Sequence, residues 1–172
     1  MVTMTRVYEL FHEVKNELKD LVPYSKNLSP SLGELKTKKT LGRCYSMYGM
    51  FRISLSKYLL ECSEQLIKNV IAHEIIHTVP YCFNHGRNFQ YYANLVNYKL
   101  GYNVEVRNTN KEFNPPRKYK LTCLECGKVY YRDRLNQRYV ANEVYRCNLD
   151  NGKLKVEKIA WQKFWTCAII YL

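Results

Sequence analysis

His73-Glu74-Ile75-Ile76-His77 sits inside an apolar run with helical spacing, Leu66, Ile67, Val70, Ile71 and Ile75. On a helix, positions four apart share a face, so both imidazoles can reach one metal ion. Glu74 projects alongside, where it can take a proton from a water that the metal activates. The apolar run buries this helix. Buried imidazoles and a buried carboxylate are costly unless they bind something, which counts against the plainer alternative of an amphipathic helix with two satisfied histidines. Ser63 or Glu61 can open the helix, and Pro80 ends it soon after His77.

A zinc ion that keeps one position open for water needs a third protein ligand. The chain has four histidines, and beyond His73 and His77 these are His12 and His85. His85 starts the stretch His85-Gly86-Arg87-Asn88-Phe89, in which glycine lets the backbone turn. A further helix then runs through Phe89, Tyr92, Leu95 and Val96 and stops at Gly101. Two helices therefore meet with His85 at their junction. Glu105 is the competing third ligand, ranked second. His12 lies on an earlier helix and is expected to be structural.

Outward from this centre, Val7, Leu10, Phe11, Val14 and Leu18 share one face of a helix expected over about Thr5 to Asp20. Pro23 and Pro30 mark a loop. Ser31 to Glu34 could be a capping box, but the lysines that follow, Lys36, Lys38 and Lys39, argue for an exposed turn. From Leu41 to Leu55, aromatic and aliphatic residues recur around Gly42 and Gly49, as two short strands or a hairpin would require. Ser56 to Leu60 reads as a short helix, and Tyr102 to Arg107 alternates as a strand. Asn114-Pro115-Pro116 is a linker, which gives an α+β domain over 1–113 and a smaller module after it.

The chain has 172 residues, enough for one sizeable core and a small module. Its start lacks the apolar core of a signal peptide and no stretch can span a membrane, so a cytoplasmic protein without membrane partners is expected. Seven cysteines agree with this, Cys44, Cys62, Cys82 and Cys167 reading as reduced, mostly buried side chains. Net charge is +12, and the residues from Pro116 onward carry 12 basic against 5 acidic groups. There Arg117, Lys118, Lys120 and Lys128 alternate with Tyr119, Tyr130 and Tyr131. Arg132, Arg134 and Arg138 follow, with Tyr139 and Tyr145. Cations attract phosphates and aromatic faces stack on unpaired bases, so single-stranded or locally opened DNA is the expected partner. The alternative is that the tyrosines fill a thin core.

Taken in order, these elements resemble the SprT-like (Spartan-type) metallopeptidases over roughly residues 5 to 155. The carrying residues are the His73–His77 motif, the His85-Gly86-x-x-Phe89 element and the upstream Leu41-Gly42, Tyr45 and Ile53-Ser54-Leu55-Ser56. Downstream, Cys123-x-x-Cys126-Gly127 and Cys147-x-x-Asp150-x-Gly152 look like the family's zinc ribbon. The resemblance implies a zincin-like domain over 1–113, helices packed on a small sheet, followed by a β zinc ribbon over 117–155. The family usually has a fourth cysteine where this chain has Asp150. Zinc accepts a carboxylate oxygen, so Cys123, Cys126, Cys147 and Asp150 can form one site. The alternatives are that Cys167 or a water completes it, or that the ribbon holds no metal. A redox role for Cys123 and Cys126 is disfavoured, because Cys147 sits where a second knuckle would be.

The expectation is a zinc-dependent endopeptidase in which His73, His77 and His85 hold the metal and Glu74 moves protons. The resemblance implies DNA-bound or DNA-crosslinked proteins as substrates, recruited through the basic ribbon. The rival is a DNA-binding adaptor or regulator with a structural or inactive metal site, against which the intact Glu74 counts. A metallohydrolase acting on a non-peptide amide shares the same ligands. Residues 156–172, with Trp161, Phe164 and Trp165, form an aromatic tail that must dock on the peptidase domain or a second subunit. A lid over the cleft is one form that docking could take.

Overall fold

The computed structural model describes residues 2–106 and 117–159 and divides the chain into two compact units, Met1–Pro115 and Pro116–Leu172. Both mix helices with a small sheet, which makes the protein α+β.

In the first unit, α1 (Met4–Leu18) starts at Thr3, whose hydroxyl accepts from the Arg6 backbone N–H at 3.2 Å. Its buried stripe is Val7, Leu10, Phe11, Val14 and Leu18. Each such side chain contributes about 1.5–3 kcal/mol of burial. The stripe packs on α2 (Glu64–Ile76), capped by Ser63 rather than Glu61, whose Oγ accepts from Leu66 N–H at 3.2 Å. This helix is buried on nearly every side, because the sheet, α1 and α3 (Arg87–Leu100) all touch it. Arg6 ties the two helices at the surface through Glu64, at 2.8 and 2.9 Å, while Lys68 bridges Glu13 and Glu17 at 3.1 Å each.

Three strands form a sheet of order β1-β3-β2. β2 (Gly42–Met47) and β3 (Met50–Ser56) form an antiparallel hairpin. Its turn, Tyr48-Gly49, has both φ angles positive, at 50° and 75°, which matches the twist of the strands. β1 (Gly33–Leu35) pairs in parallel with β3, so the exposed turn expected around Ser31 to Glu34 is instead the start of a strand. Gly33 makes this possible, because a Cβ there would lie 2.2 Å from Ser54 Oγ on β3. Lys57–Glu61 is a 3-10 turn leading into α2.

The strand expected over Tyr102 to Arg107 does not form among the described residues, and Arg107 lies outside them. Side chains take up this segment's backbone groups in place of a neighbouring strand. Asn97 Oδ1 accepts from Val104 N–H at 2.7 Å and its Nδ2 donates to Val104 O at 3.1 Å, while Asn69 Oδ1 accepts from Asn103 N–H at 3.1 Å. α3 ends at Gly101, whose φ of 70° is the left-handed geometry glycine adopts freely.

The second unit carries a sheet of order β5-β4-β6, from β4 (Tyr119–Cys123), β5 (Val129–Arg132) and β6 (Leu154–Lys158), with the short α4 (Gln137–Ala141). Leu121, Cys123, Cys147 and Leu154 form its small core, with Tyr119, Tyr130, Tyr145 and Val156 packed around them. The expected linker Asn114–Pro116 lies outside the described residues, as does the tail from residue 160 with Trp161 and Cys167. Among the described residues, no helix is long and apolar enough to cross a membrane.

Candidate metal centre

α2 brings His73, Glu74 and His77 to one side of a cleft of about 340 Å³. The start of β2 forms part of its wall, and Asn103, Glu105 and Val106 another part. His85 enters from the turn before α3, where its own φ is +56°. Its Nε2 lies 3.0 Å from His73 Nε2, which in turn is 3.1 Å from His77 Nε2. Phe89, fully buried on α3, packs against all three rings at centroid distances of 4.7 to 4.8 Å.

The far side of two of the rings fixes what these nitrogens present. His73 Nδ1 faces the Glu105 carbonyl at 2.9 Å and His77 Nδ1 faces the Cys82 carbonyl at 2.9 Å. A carbonyl only accepts, so Nδ1 carries the proton in both rings and each Nε2 presents a lone pair. Lone pairs converging on one point suit a cation. A tetrahedral zinc with Zn–N bonds of about 2.0–2.1 Å would space its nitrogens about 3.3 Å apart, close to what the rings adopt. Burial, reinforced by the two neighbouring imidazoles, lowers the His73 pKa to about 3, and burial lowers those of His77 and His85 as well. Burial thus favours the neutral form of all three rings, the form that can bind a metal ion.

Glu105, the competing third ligand, instead turns its backbone carbonyl to His73, and its Oε1 accepts from Asn103 Nδ2 at 3.3 Å. Its contribution is to orient a ring, the kind of outer-shell carbonyl that fixes tautomer. His12 is exposed on α1 and far from this group in role, stacking edge-on with Phe11.

Glu74 is only 5% exposed. Burial raises its pKa to about 8, against the pull of the Cys44 backbone N–H and the Arg43 charge. Gly42 creates the space it occupies, since a Cβ there would lie 2.7 Å from Glu74 Oε1. Cys44, buried next to it, has its thiol pushed up to about 12 by burial and by Glu74, so it stays protonated. No tyrosine lines this cleft among the described residues, and its cations are Lys39 and Arg43. Composition could not single these out among 16 tyrosines and 27 cations.

The second unit holds another set of ligand-type side chains, Cys123, Cys126, Cys147 and Asp150, with ligand atoms within 4.8 Å of one another. Two turns of the same geometry present them. In the first, Gly127 N–H donates to Cys123 O at 3.1 Å and Cys123 N–H to Lys128 O at 2.9 Å. In the second, Asn151 N–H donates to Cys147 O at 3.1 Å and Cys147 N–H to Gly152 O at 2.8 Å. Gly127 and Asn151 both take positive φ, at 72° and 57°. Asp150 thus holds the place in the second turn that Cys126 holds in the first. Cys126 and Cys147 Sγ are 3.7 Å apart and Cys123 Sγ is 3.5 Å from either Asp150 oxygen. Around a tetrahedral zinc with bonds of about 2.3 Å to sulfur and 2.0 Å to oxygen, these separations would be about 3.8 and 3.5 Å.

The cationic candidates of this unit do not all face the same way. Tyr130 turns toward the thiols, its hydroxyl 3.1 Å from Cys147 Sγ, and this contact lowers the Cys147 pKa. Lys128 lies over the Tyr130 ring at 5.4 Å. Lys120 sits opposite Tyr131 and Glu157 on the other face of the sheet, next to Lys118 at the strand's start. Arg117 is paired with Asp133 at 2.7 Å, while Arg132, Arg134 and Arg138 are exposed.

Helices on a small mixed sheet, with three convergent imidazoles beside a buried carboxylate, define a domain of the metallopeptidase type. A sequence model of the SprT-like family matches residues 7–110, more than half of the chain, and the protein belongs to that family. Among curated proteins, none matches the chain.

Proposed function

We propose that the protein is a zinc-dependent endopeptidase acting on extended or unfolded polypeptide. The observation that carries this reading is the convergence of three Nε2 lone pairs beside a buried carboxylate. His73, His77 and His85 would hold the ion. A zinc ion held there would supply Lewis acidity toward a carbonyl and toward water, whose pKa it would lower to near 7. Glu74 takes a proton from the attacking water and returns it to the leaving nitrogen. A carboxyl pKa near neutrality, here about 8 from burial, suits both transfers. A nearby cation pulls it lower when the centre is loaded. Arg43 is the charged group best placed to steady negative charge developing on the carbonyl oxygen.

β2 is an edge strand, which supports an extended substrate. Leu41 pairs with Ser56 by a hydrogen bond, so Arg43 and Tyr45 bond inward to β3, while Gly42, Cys44 and Ser46 turn their backbone groups away from β3, the Cys44 N–H being the one that meets Glu74. A polypeptide can add there as a further strand. Cys123, Cys126, Cys147 and Asp150 would hold a second, structural zinc. The exposed Arg132, Arg134 and Arg138, with Lys118 and Lys120, would recruit single-stranded or opened DNA, so that DNA-bound or DNA-crosslinked proteins become the substrates. A cytoplasmic site of action fits the free thiols.

The test is cleavage of a disordered protein by the zinc-loaded chain, with and without single-stranded DNA. Glu74→Gln should lower cleavage by orders of magnitude while zinc content is unchanged. Cleavage retained in Glu74→Gln would sink the mechanism, and cleavage indifferent to DNA would remove the recruitment role.

A further inference from the structure

Beside the imidazoles lies a second hollow, of about 510 Å³, that shares His77 and Phe83 with the cleft. Its other walls include Phe51, Val79, Pro80 and Tyr81 with the hydroxyls of Ser25, Ser46 and Thr78, and among the described residues no Asp, Glu, Lys or Arg lines it. The segment between α2 and α3 builds it by alternation. Cys82 is fully buried and anchors His77 through its carbonyl, which turns its neighbours Tyr81 and Phe83 outward. Tyr81 is 86% exposed and Phe83 56% exposed. Tyr81 does so with φ at +65°, a left-handed conformation that bulky residues rarely take. Phe83 also packs on the His77 ring at 5.8 Å and so stands between the two spaces.

Ser46, at the end of β2, is on the same hollow. Its backbone faces the free edge in register with Gly42 and Cys44, which line the cleft. A polypeptide added along that edge passes from the imidazoles to the aromatic walls, and alternate side chains of a strand point to one side.

From this continuity we infer that the hollow formed by Tyr81, Phe83 and Phe51 is a specificity subsite, which takes a large apolar side chain of the substrate close to the scissile bond. The inference rests on the peptidase reading and names its substrate preference. An uncharged aromatic hollow gains from burying an apolar side chain and gains nothing from a serine. Discrimination of about tenfold or more is what such a pocket delivers.

The experiment uses the full zinc-loaded chain and peptides of glycine, serine and asparagine that carry one phenylalanine, leucine or serine at a fixed position, with cut sites read by mass spectrometry. The expected result is cleavage within two or so residues of the apolar side chain, with kcat/KM about tenfold or more above the serine peptide. Phe83→Ala and Tyr81→Asn should bring that ratio toward one and scatter the cuts. Asparagine adopts positive φ readily, so Tyr81→Asn removes the wall without adding backbone strain. No preference in the wild type, or a ratio unchanged in both variants, overturns the subsite. Failure of the wild type to cut any peptide or a disordered protein, with zinc bound, overturns the peptidase reading itself and the subsite with it.

Discussion

Gly42→Ala isolates the seat of Glu74 from every other feature of the cleft. Gly42 does not have positive φ, so alanine meets no backbone strain there, and the effect is purely one of space. The added methyl would lie 2.7 Å from Glu74 Oε1, 2.8 Å from its Cγ and 2.9 Å from Val70 Cγ1. Ordinary contact needs about 3.5 Å or more, so something must move by more than half an ångström. Neither neighbour gives easily, because both belong to the buried helix α2 and Glu74 is 5% exposed. Overpacking of this kind costs about 1–3 kcal/mol, or about 4 °C in Tm per kcal/mol for a domain of this size. A catalytic group displaced by about 1 Å can lose about 100-fold in rate. The three atoms nearest the added methyl belong to Glu74 and Val70 rather than to a histidine, so zinc content should be unchanged. Thermal melts, zinc analysis and kcat on a disordered substrate read the three effects separately. A variant as stable and as active as the wild type would refute the packing of Glu74 against β2; lost zinc would refute the separation of carboxylate from ligands.

The third ligand can be settled by stability alone: zinc at about 100 times its Kd should raise stability by about 2.7 kcal/mol. His85→Ala should abolish most of that shift, whereas Glu105→Gln, which leaves the carbonyl facing His73, should keep it. In the second unit, Asp150→Ala should lower zinc bound per full chain from two toward one when a chelator buffers free zinc at a low level, and Asp150→Cys should restore it; unchanged stoichiometry in both would show that Asp150 is not a ligand. Arg6 and Lys68 hold the Glu64 and Glu13 carboxyls below their usual range, chiefly through Arg6 for Glu64 and Lys68 for Glu13. A depressed folded-state pKa stabilises above the unfolded value, about 4.3, and the benefit is lost as pH falls through the folded value. The Tm difference between wild type and Arg6→Met should therefore be present at pH 7 and shrink below about pH 4.3; a difference independent of pH would assign it to packing.

The parts legible in the sequence are those where side-chain type and spacing are themselves the cause. The apolar spacing of α1 and α2 follows from local rules and appears where those rules put it, while the structure chooses Ser63 over Glu61 as the cap and the hairpin over two separate strands around Gly49. His85 could be ranked above Glu105 because a glycine turn between two helices brings it back to them. β1 was illegible because a three-residue parallel strand has too few side chains to set a period, and its partner β3 is remote in sequence. Tyr102 to Val106 alternates as a strand does, yet its backbone is satisfied by Asn97 and Asn69, and nothing in the alternation distinguishes the two outcomes.

That segment also shows why the candidate metal centre is more than the three imidazoles. Asn97 and Asn69 fix the backbone just before Glu105, and the Glu105 carbonyl fixes the tautomer of His73; Cys82, buried at the centre of the other loop, does the same for His77. Two carbonyls without side-chain identity thus decide which nitrogen of each ring carries a lone pair into the cleft. Substitutions at Asn97 or Cys82, neither of which is in the ligand set, should lower zinc affinity, because they release the backbone that orients a ring. An outer-shell change typically costs 10- to 100-fold in metal affinity. Asn97→Ala removes both of the side-chain bonds to Val104 while leaving every ligand in place. Zinc affinity measured by competition with a chelator should fall by about 10- to 100-fold, and affinity equal to the wild type would show that the Glu105 carbonyl keeps its place without Asn97.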